Sequence, residues 1–525
     1  MAVLLDLPYE LLYGIIYILG GSPDGLSPVC QSSRQSLYAT CLTCTRLLSI
    51  AQEILYMNFS IHSLHRNWTL YPFIRTVAKR PTLSHHTKYL RLHFYPLGNS
   101  VPDLKPFDST SISKSLIKKL HTKYGLKHRN IWRHARRSGT FTELLVSLLL
   151  LILPRATSIN NLCIPDSAPI LFHTLFHICL LNLPRSSPAR SDSITIANNS
   201  GLIPLLPLSP SLIDSRTPPP PGLQRTTYIL FAQAPKHTNF GNLLPFLLLP
   251  SLDQLGTTGL QAPIGSFFPA IPSTLPVAKL ETLYLGVSQL DGIELAGLLR
   301  RVKPFLVEFS YTFDIPLDLD NHLITNPLYN IPRFSDALAI LSDNLQTLEI
   351  RASPRLLDLM DRAESNAVIE CLPRLGNLEA LTTELQLLVG RDVRQELVDV
   401  LPSNVKKVEF VDLKDRQVGS GGGTWFEHHW PILLRQITEV VRATRRQELK
   451  AGEGKFGERA RRDNEHQDQG QGDQVFGGRS PIWRPWVKSC WGWWLGSGTP
   501  FWRLKTIERL FERGYWMLVE RRVSR

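Results

Sequence analysis

The chain has 525 residues, enough for roughly two to four domains, and 43% of them are hydrophobic, which is enough for a sizeable core. Its 58 Lys and Arg against 45 Asp and Glu give a formal net charge of +13, which permits an acidic protein, nucleic acid or an anionic membrane as a partner without demonstrating one. The seven cysteines are scattered and odd in number, which argues against a closed disulfide framework, so we expect a cytoplasmic or nuclear protein.

The first predicted element is an amphipathic helix. Pro8 fits the first helical position, and Glu10 in the first turn favours the positive end of the helix dipole. Gly20 and Gly21 are expected to end the helix. Its apolar stripe at helical spacing consists of Leu11, Leu12, Ile15, Ile16 and Leu19.

A second apolar stretch of helical period follows the first. We expect a helix whose apolar face carries Leu37, Cys41, Cys44 and Leu48, and the pattern continues to Tyr56. A unit as small as residues 1–56 cannot bury a large core of its own. Its apolar faces therefore indicate a docking surface for another protein.

The sequence pattern of this unit resembles that of an F-box. The opening Leu7-Pro8-x-Glu10-Leu11-Leu12 and the later block Thr43-Cys44-Thr45-Arg46-Leu47 carry the resemblance, which is closest to the divergent F-box proteins of filamentous fungi. It covers residues 1–56, roughly a tenth of the chain. Two departures are an insertion between Gly20 and Ser36 and a tyrosine at position 56, where many members have tryptophan.

The resemblance implies a three-helix module that binds the small Skp-type adaptor of cullin–RING ubiquitin ligases, while the rest of the chain selects the substrate. Whether Ile15 or Ile16 faces the adaptor stays open. Carried over by position, the residues at or near the adaptor contact are Leu7, Pro8, Leu11, Ile15 and Cys44.

Residues 61–413 repeat one pattern, in which an apolar helical segment leads through a turn into a short Leu-x-x-Leu-x-Leu strand. The strand signals centre on Leu255, Leu283, Val307, Leu348, Leu381 and Val408, near the ~20–29-residue period of leucine-rich repeats apart from one longer gap. One strand and one helix cannot bury their apolar faces alone, so such units stack. We predict an α/β fold: the N-terminal three-helix module, then an irregular leucine-rich-repeat solenoid.

Three regions interrupt this pattern. Residues 185–225 are rich in Pro and Ser and are expected to form a flexible insert. Residues 415–480, rich in Gly, Gln and charge, are expected to be mostly disordered, with a helix near Trp430–Arg446. The Trp- and Arg-rich tail, 481–525, fits a membrane interface, a stacking platform for nucleic acid, a poorly ordered extension or an incorrect coding sequence.

Two further segments have compositions that bear on membrane or nucleic-acid binding. The intensely apolar run 144–153 is about half of what a bilayer span needs and is predicted to be a buried helix. The basic run 118–137 fits a solvated face better than a nucleic-acid contact, although phosphate neutralisation there stays open.

No motif indicates catalysis. Gly-x-Ser-x-Gly and phosphate-loop patterns are missing from the sequence. Cys41-x-x-Cys44 has the spacing of half a zinc site, but no second pair stands at a suitable distance, so both are interpreted as core cysteines. We therefore predict no enzyme activity, no metal and no cofactor.

These observations predict the substrate-recognition adaptor of an SCF-type cullin–RING ubiquitin ligase, with a Skp-type adaptor and an unknown protein substrate as partners. One alternative is a repeat scaffold whose N-terminal helices merely cap the repeats. Another is a basic protein that binds membranes or nucleic acid through residues 118–137 and the tail.

Overall fold

The α/β class is confirmed: in the computed structural model, helices accompany a ten-stranded parallel sheet. The structure describes residues 2–20, 31–61, 67–92, 141–162, 223–231, 238–239, 243–261, 278–288, 290, 292–313, 331–352, 368–390, 393, 395–410, 432–433, 435–437 and 439.

Within the described residues, four helices precede the first strand: α1 (Ala2–Leu5), α2 (Tyr9–Leu19), α3 (Gln31–Cys41) and α4 (Thr45–Met57). Helix α2 begins one residue later than predicted, because Pro8 has an extended backbone (φ −52°, ψ 151°) and caps the helix. The prediction of one helix through Cys41 and Cys44 is wrong, since Cys44 is extended (φ −159°, ψ 163°) and separates α3 from α4.

Beyond Met57, short strands alternate with helices. The strands are β1 (Asn58–Ile61), β2 (Tyr89–Leu92), β3 (Ser158–Leu162), β4 (Tyr228–Phe231), β5 (Thr238–Asn239), β6 (Gln254–Thr258), β7 (Leu260–Gln261), β8 (Thr282–Ser288), β9 (Glu308–Phe313), β10 (Thr347–Ala352), β11 (Ala380–Thr383) and β12 (Lys407–Phe410). The helices are α5 (Asn67–Lys79), α6 (Pro81–Ser84), α7 (Phe141–Ile152), α8 (Leu244–Leu247), α9 (Gly292–Val302), α10 (Ile331–Leu338), α11 (Leu385–Val389) and α12 (Leu397–Val400), with 3₁₀ turns at Ala339–Leu341 and Leu372–Arg374.

The strand order of the main sheet follows the chain. The sheet reads β1-β2-β3-β4-β6-β8-β9-β10-β11-β12, and each strand is parallel to its neighbours. Strands β5 and β7 pair separately. Parallel neighbours need a crossover between them. Each crossover therefore places the next strand of the main sheet beside the preceding one, always at the same edge of the sheet.

One apolar residue from each strand forms a column across the main sheet. In register, the members are Phe59, Leu90, Ile159, Ile229, Leu255, Leu283, Phe309, Leu348, Leu381 and Val408. All except Val408 are buried. The predicted member Val307 is wrong by two residues, because it precedes β9 and Phe309 occupies the equivalent position.

The backbone repeats one pair of hydrogen bonds at eight successive strand starts. The carbonyl of Asp253, for example, accepts the amides of Glu281 at 2.8 Å and Thr282 at 3.0 Å. The eight accepting carbonyls belong to Lys88, Thr157, Thr227, Asp253, Glu281, Val307, Gln346 and Glu379. Each stands directly before its strand, so the turns share one geometry although the crossovers differ in length.

The apolar run 144–153 belongs to α7 and the residue that follows it, and residues 145–153 are all buried, as predicted. Among the helices that the structure describes, none combines the length and the apolarity needed to cross a bilayer.

The predicted insert 185–225, apart from its last three residues, lies outside the described residues, as do the run 118–137 and the tail 481–525. Of 415–480, the structure describes only positions between 432 and 439, which are helical as predicted. Leu433 is buried in the core of the sheet region, and Gln436 Nε2 donates to the Gln395 carbonyl at 3.2 Å. This helix is thus part of the folded body.

Candidate functional site

The N-terminal helices enclose a small core that is separate from the core of the sheet region. Gly20 allows α2 to end against α3 and α4, because a Cβ there would lie 2.9 Å from Ile54 Cγ2 and 3.4 Å from Leu37 Cδ1. The buried apolar residues of this N-terminal core are Leu12, Ile16, Leu37, Leu47, Ile50, Ala51 and Ile54.

Exposed apolar side chains are concentrated on this helical unit. In the described part of the chain thirteen large hydrophobic residues are exposed, and nine of them lie between positions 4 and 48. Leu11, Ile15 and Ile18 follow one another at helical spacing on one face of α2 and are exposed by 56%, 39% and 77%. Leu42, in the turn between α3 and α4, is 87% exposed. Such a concentration is typical of an interaction surface.

Three of the five residues assigned to the adaptor contact lie on this face. Leu11 and Ile15 are exposed on α2, and Pro8 is exposed at its N-terminus. Ile16 is only 3% exposed and belongs to the N-terminal core. The choice that the sequence left open is thereby decided: Ile15 faces outward.

The other two residues, Leu7 and Cys44, are half-buried against the N-terminal core. Arg46, in the first turn of α4, connects their two segments. Its Nη2 donates to the Leu7 carbonyl at 2.9 Å, and its Nη1 donates to the Leu5 carbonyl. A guanidinium presents its donors in a fixed fork, so Arg46 holds the segment that leads into α2 against the start of α4.

Three tyrosines occupy another face of α2. The ring centroids of Tyr9 and Tyr13 are 6.1 Å apart, and those of Tyr13 and Tyr17 are 6.0 Å apart. The Tyr9 hydroxyl donates to Glu53 Oε2 on α4 at 3.4 Å. Burial, reinforced by the Glu53 carboxylate, raises the pKa of both Tyr9 and Tyr13. This tyrosine face is turned towards α4, which leaves the Leu11 face outward.

Cys41 and Cys44 are free thiols at the junction of α3 and α4. Burial raises the pKa of the Cys41 thiol, which disfavours the thiolate that metal binding or nucleophilic attack requires. Among the residues whose placement is described, no group of three His, Cys, Asp or Glu side chains could hold a metal ion. Both thiols contribute to packing, as their half-buried positions indicate.

A second candidate surface is the sheet face opposite the apolar column. Side chains alternate along a strand, so the residues between the column positions point away from the core. From β8 to β12 these residues are mostly polar and mostly half-buried or exposed: Thr282, Tyr284, Glu308, Ser310, Thr347, Glu349, Arg351, Ala380, Thr382, Lys407 and Glu409.

Carboxyl groups and one guanidinium meet on this face at β9 and β10. Glu349 is well partnered, since its Oε1 lies 2.5 Å from Arg351 Nε and its Oε2 accepts the Ser310 hydroxyl at 3.0 Å. From the described residues, Glu308 on the neighbouring strand accepts one side-chain hydrogen bond, from the Thr282 hydroxyl at 3.4 Å. Burial raises the pKa of Glu308, the Thr282 hydrogen bond opposes this, and the Glu349 carboxylate adds to it.

Glu384, directly after β11, is the third carboxyl group of this region and is 3% exposed. Strand alternation through Ala380 and Thr382 places it on the same face, beside the end of β10. Its Oε1 accepts the Ala352 amide at 3.0 Å, and its Oε2 has no hydrogen-bond partner among the described residues. Burial raises the pKa of Glu384 to about 8, opposed in part by the Ala352 amide and the Arg351 charge. Glu384 is therefore mostly protonated at neutral pH.

Sequence reasoning missed Arg46 and the three carboxyl groups. In the sequence, Arg46 is recognisable only as one residue of the F-box-like block Thr43–Leu47. Its role was not predictable, because its two carbonyl partners lie about forty positions away. The alternation in 347–351 was available as a signal, since it already separates Glu349 and Arg351 from the core positions. The position of Glu308 near Glu349, and of Glu384 near Arg351, depends on the register between neighbouring strands, which the sequence of a single strand does not contain.

No protein-family model and no curated protein sequence with which the chain was compared matches it. The function has therefore to be inferred from the two surfaces, the apolar face of the N-terminal helices and the polar face of the sheet.

Proposed function

We propose that the chain is a non-catalytic substrate-recognition adaptor of an SCF-type cullin–RING ubiquitin ligase. Residues 1–56 act as an F-box-like module that binds a Skp-type adaptor. The sheet region acts as an irregular leucine-rich-repeat solenoid that binds the substrate. The mechanism is proximity, because holding a substrate lysine near the ubiquitin-conjugating enzyme raises its effective concentration.

The observation that carries the proposal is the concentration of exposed apolar side chains on the N-terminal helices. Leu11, Ile15 and Ile18 would each bury apolar surface against a partner, at about 25 cal/mol for every Å² removed from water. Arg46 and Gly20 hold these helices in one arrangement, so the face is available without reorganisation.

The solenoid part of the proposal is supported by the in-register apolar column and the eightfold repetition of one turn hydrogen-bond pattern. Stacked repeats bury one continuous core and leave a long outer face for a partner. The polar sheet face has that position in this chain.

The test is co-purification of the intact chain with a Skp-type adaptor. Leu11→Ser should lower adaptor capture at least tenfold. In the complex the adaptor would cover the leucine side chain, and burial of such a side chain contributes about 1.5–3 kcal/mol. Ile293→Ser is the matched control, since Ile293 on α9 is also 56% exposed but lies in the sheet region. Equal capture by both variants, at the level of the unchanged chain, would contradict the assignment of this face.

The scaffold alternative gives a different result in the same experiment. If the N-terminal helices only cap the sheet region, no Skp-type adaptor is captured by the unchanged chain. Leu11→Ser would then alter neither partner binding nor stability, since an exposed side chain contributes little to the folded state.

A further inference from the structure

We propose that the polar sheet face at β9–β11 binds a cationic, Lys- or Arg-bearing segment of a partner protein, with Glu308 pairing directly with the bound cation. The groups that form this acidic patch are Glu308, Glu349, Glu384 and Arg351. As a statement about the substrate, the inference rests on the proposed function, whereas the binding itself can be tested without it.

The charges of the acidic patch are unbalanced. It contains two carboxylates, Glu308 and Glu349, and one cation, which is 2.5 Å from Glu349. The third carboxyl group, Glu384, is mostly protonated at neutral pH and adds little charge. Glu308 and Glu349 occupy adjacent strands on the same face, two register positions apart, and their charges repel each other. Of the described residues, none supplies a positive charge to Glu308. A cation from outside would pair with Glu308 and relieve this repulsion.

The half-buried position of Glu308 strengthens the case. A carboxylate that has lost part of its hydration gains more from a cation than a fully hydrated one does, because the local dielectric constant is lower. The hydrogen bond that Glu308 accepts from Thr282, at 3.4 Å, is long and replaces little of the lost hydration.

Glu384 supplies an independent observation. It is 3% exposed, its Oε2 is buried without a hydrogen-bond partner among the described residues, and strand alternation directs it to the face that carries Arg351. Buried polar atoms are nearly always satisfied, so an unsatisfied one at such a position points to a missing partner. A nearby cation of the bound segment would favour the ionised form of Glu384, and a donor of that segment, or a water ordered by it, would then satisfy this oxygen.

The net positive charge of the molecule means that a cationic segment would bind only at a local site, not through general electrostatic attraction. At +13 the chain as a whole repels cations, so non-specific attraction cannot account for binding of a basic segment. Binding of a cation to this protein therefore requires a local site, and the acidic patch has the required charge.

The experiment measures fluorescence anisotropy of the full chain with a short fluorescein-labelled oligoarginine peptide and with an oligoglutamate peptide of the same length. We expect binding of the first only, and a roughly tenfold loss of affinity in Glu308→Gln, the effect of one half-buried charge pair. Glu409→Gln is the matched control, because Glu409 lies on the same face but is exposed on β12, and it should change affinity less than about twofold.

A second variant guards against a folding artefact. Thr382→Lys introduces a cation on β11, next in register to Glu349, and should also suppress oligoarginine binding. The proposal is overturned if both peptides bind equally, if neither binds, or if Glu308→Gln and Thr382→Lys retain the affinity of the unchanged chain.

The outcome is separable from that of the proposed function. Glu308→Gln should leave capture of the Skp-type adaptor unchanged, and Leu11→Ser should leave oligoarginine affinity unchanged, because the two surfaces belong to different cores. If the unchanged chain binds oligoarginine but captures no Skp-type adaptor, only the ligase function is contradicted. If the unchanged chain captures the adaptor but does not bind oligoarginine, only the acidic patch is contradicted.

Discussion

Gly20 and Arg46 determine the geometry of the N-terminal helices. Gly20 has an ordinary right-handed backbone (φ −71°), so its role is close packing against Ile54 rather than an unusual conformation. Arg46 uses a charged side chain to hold two backbone carbonyls that no helix would otherwise satisfy. Both residues act on the position of α2, and thus on the face that carries Leu11.

Glu384 makes the stability of the sheet region dependent on pH. Its folded-state pKa is raised from 4.5 to about 8, so the folded state keeps a proton that the unfolded state releases. Stability should therefore fall as pH rises through the window from 4.5 to about 8, and level off above it. The groups that face Glu384 are the Ala352 amide, Arg351 and Glu349.

Glu384→Gln tests this dependence, because glutamine keeps an acceptor for the Ala352 amide and does not titrate. We expect the free energy of unfolding of the variant to exceed that of the unchanged chain increasingly as pH rises, by at most ~1.4 kcal/mol for each pKa unit. Urea denaturation at about pH 5 and about pH 8 measures the difference. Parallel pH profiles of the two proteins would show that Glu384 is ionised throughout.

At the scale of elements, the turns before the strands use one side-chain position repeatedly. Asn344 Nδ2 donates to the Lys303 carbonyl at 3.0 Å and the Pro304 carbonyl at 3.3 Å, while Asn377 and Asn404 donate to the Asp343 and Gly376 carbonyls of the preceding turns. Ser251 Oγ donates to the Gln224 carbonyl at 2.8 Å. All four residues stand three positions before a strand, so this position connects consecutive strand–helix units.

Asn344→Ala should lower the free energy of unfolding by about 0.5–1.5 kcal/mol, because it removes the side chain that connects the turns before β9 and β10. Gln346→Ala is the control: this exposed residue takes part in the turn through its backbone, which alanine keeps. Midpoints of urea denaturation that shift equally in both variants would assign the effect to helix or strand propensity instead.

At the scale of the whole molecule, the two cores are joined without a linker. Helix α4 ends at Met57 and β1 begins at Asn58. Phe73 of α5 stacks on both Tyr56 and Phe59, with ring centroids 5.8 Å and 3.9 Å apart. A partner bound to the N-terminal helices would therefore be held in a fixed orientation relative to the sheet, which a proximity mechanism requires.

A chain that stops after residue 446 tests which part of the molecule carries the main activity. It retains Leu433 and Gln436, which belong to the folded body, and removes the Trp-rich tail. We expect adaptor capture to equal that of the full chain, because the Leu11 face is unchanged. Loss of capture by this shorter chain, with a denaturation midpoint equal to that of the full chain, would favour the membrane- or nucleic-acid-binding alternative.

A stop after residue 414 is the matched comparison. It removes Leu433 as well as the tail, so the sheet region loses a fully buried side chain. Removal of a buried leucine typically costs about 2–5 kcal/mol of stability. A lower denaturation midpoint in this chain, with normal behaviour of the longer one, would show that residues 432–439 serve folding.

The position of a strand was predictable from the sequence where its apolar pattern is contained in a few adjacent residues. Leu255, Leu283, Leu348, Leu381 and Val408 lie in strands because alternation and burial are written into four or five adjacent residues. Val307 was misassigned for the same reason. A shift of the strand by two residues leaves the alternation of apolar and polar side chains unchanged, so the local pattern does not distinguish Val307 from Phe309. Strand β4 was missed because the preceding residues, 185–225, show no repeat.

The sequence by itself determined the α/β class, the apolar stripe of α2 and the strands that contain Leu255, Leu283, Leu348, Leu381 and Val408, because these depend on residues a few positions apart. Only the tertiary structure decided that Ile15 faces outward and Ile16 inward, that α3 and α4 are separate helices, and that Glu308, Glu349 and Glu384 share one face. Exposure and charge proximity depend on which segments pack together, and those segments lie tens of residues apart in the chain.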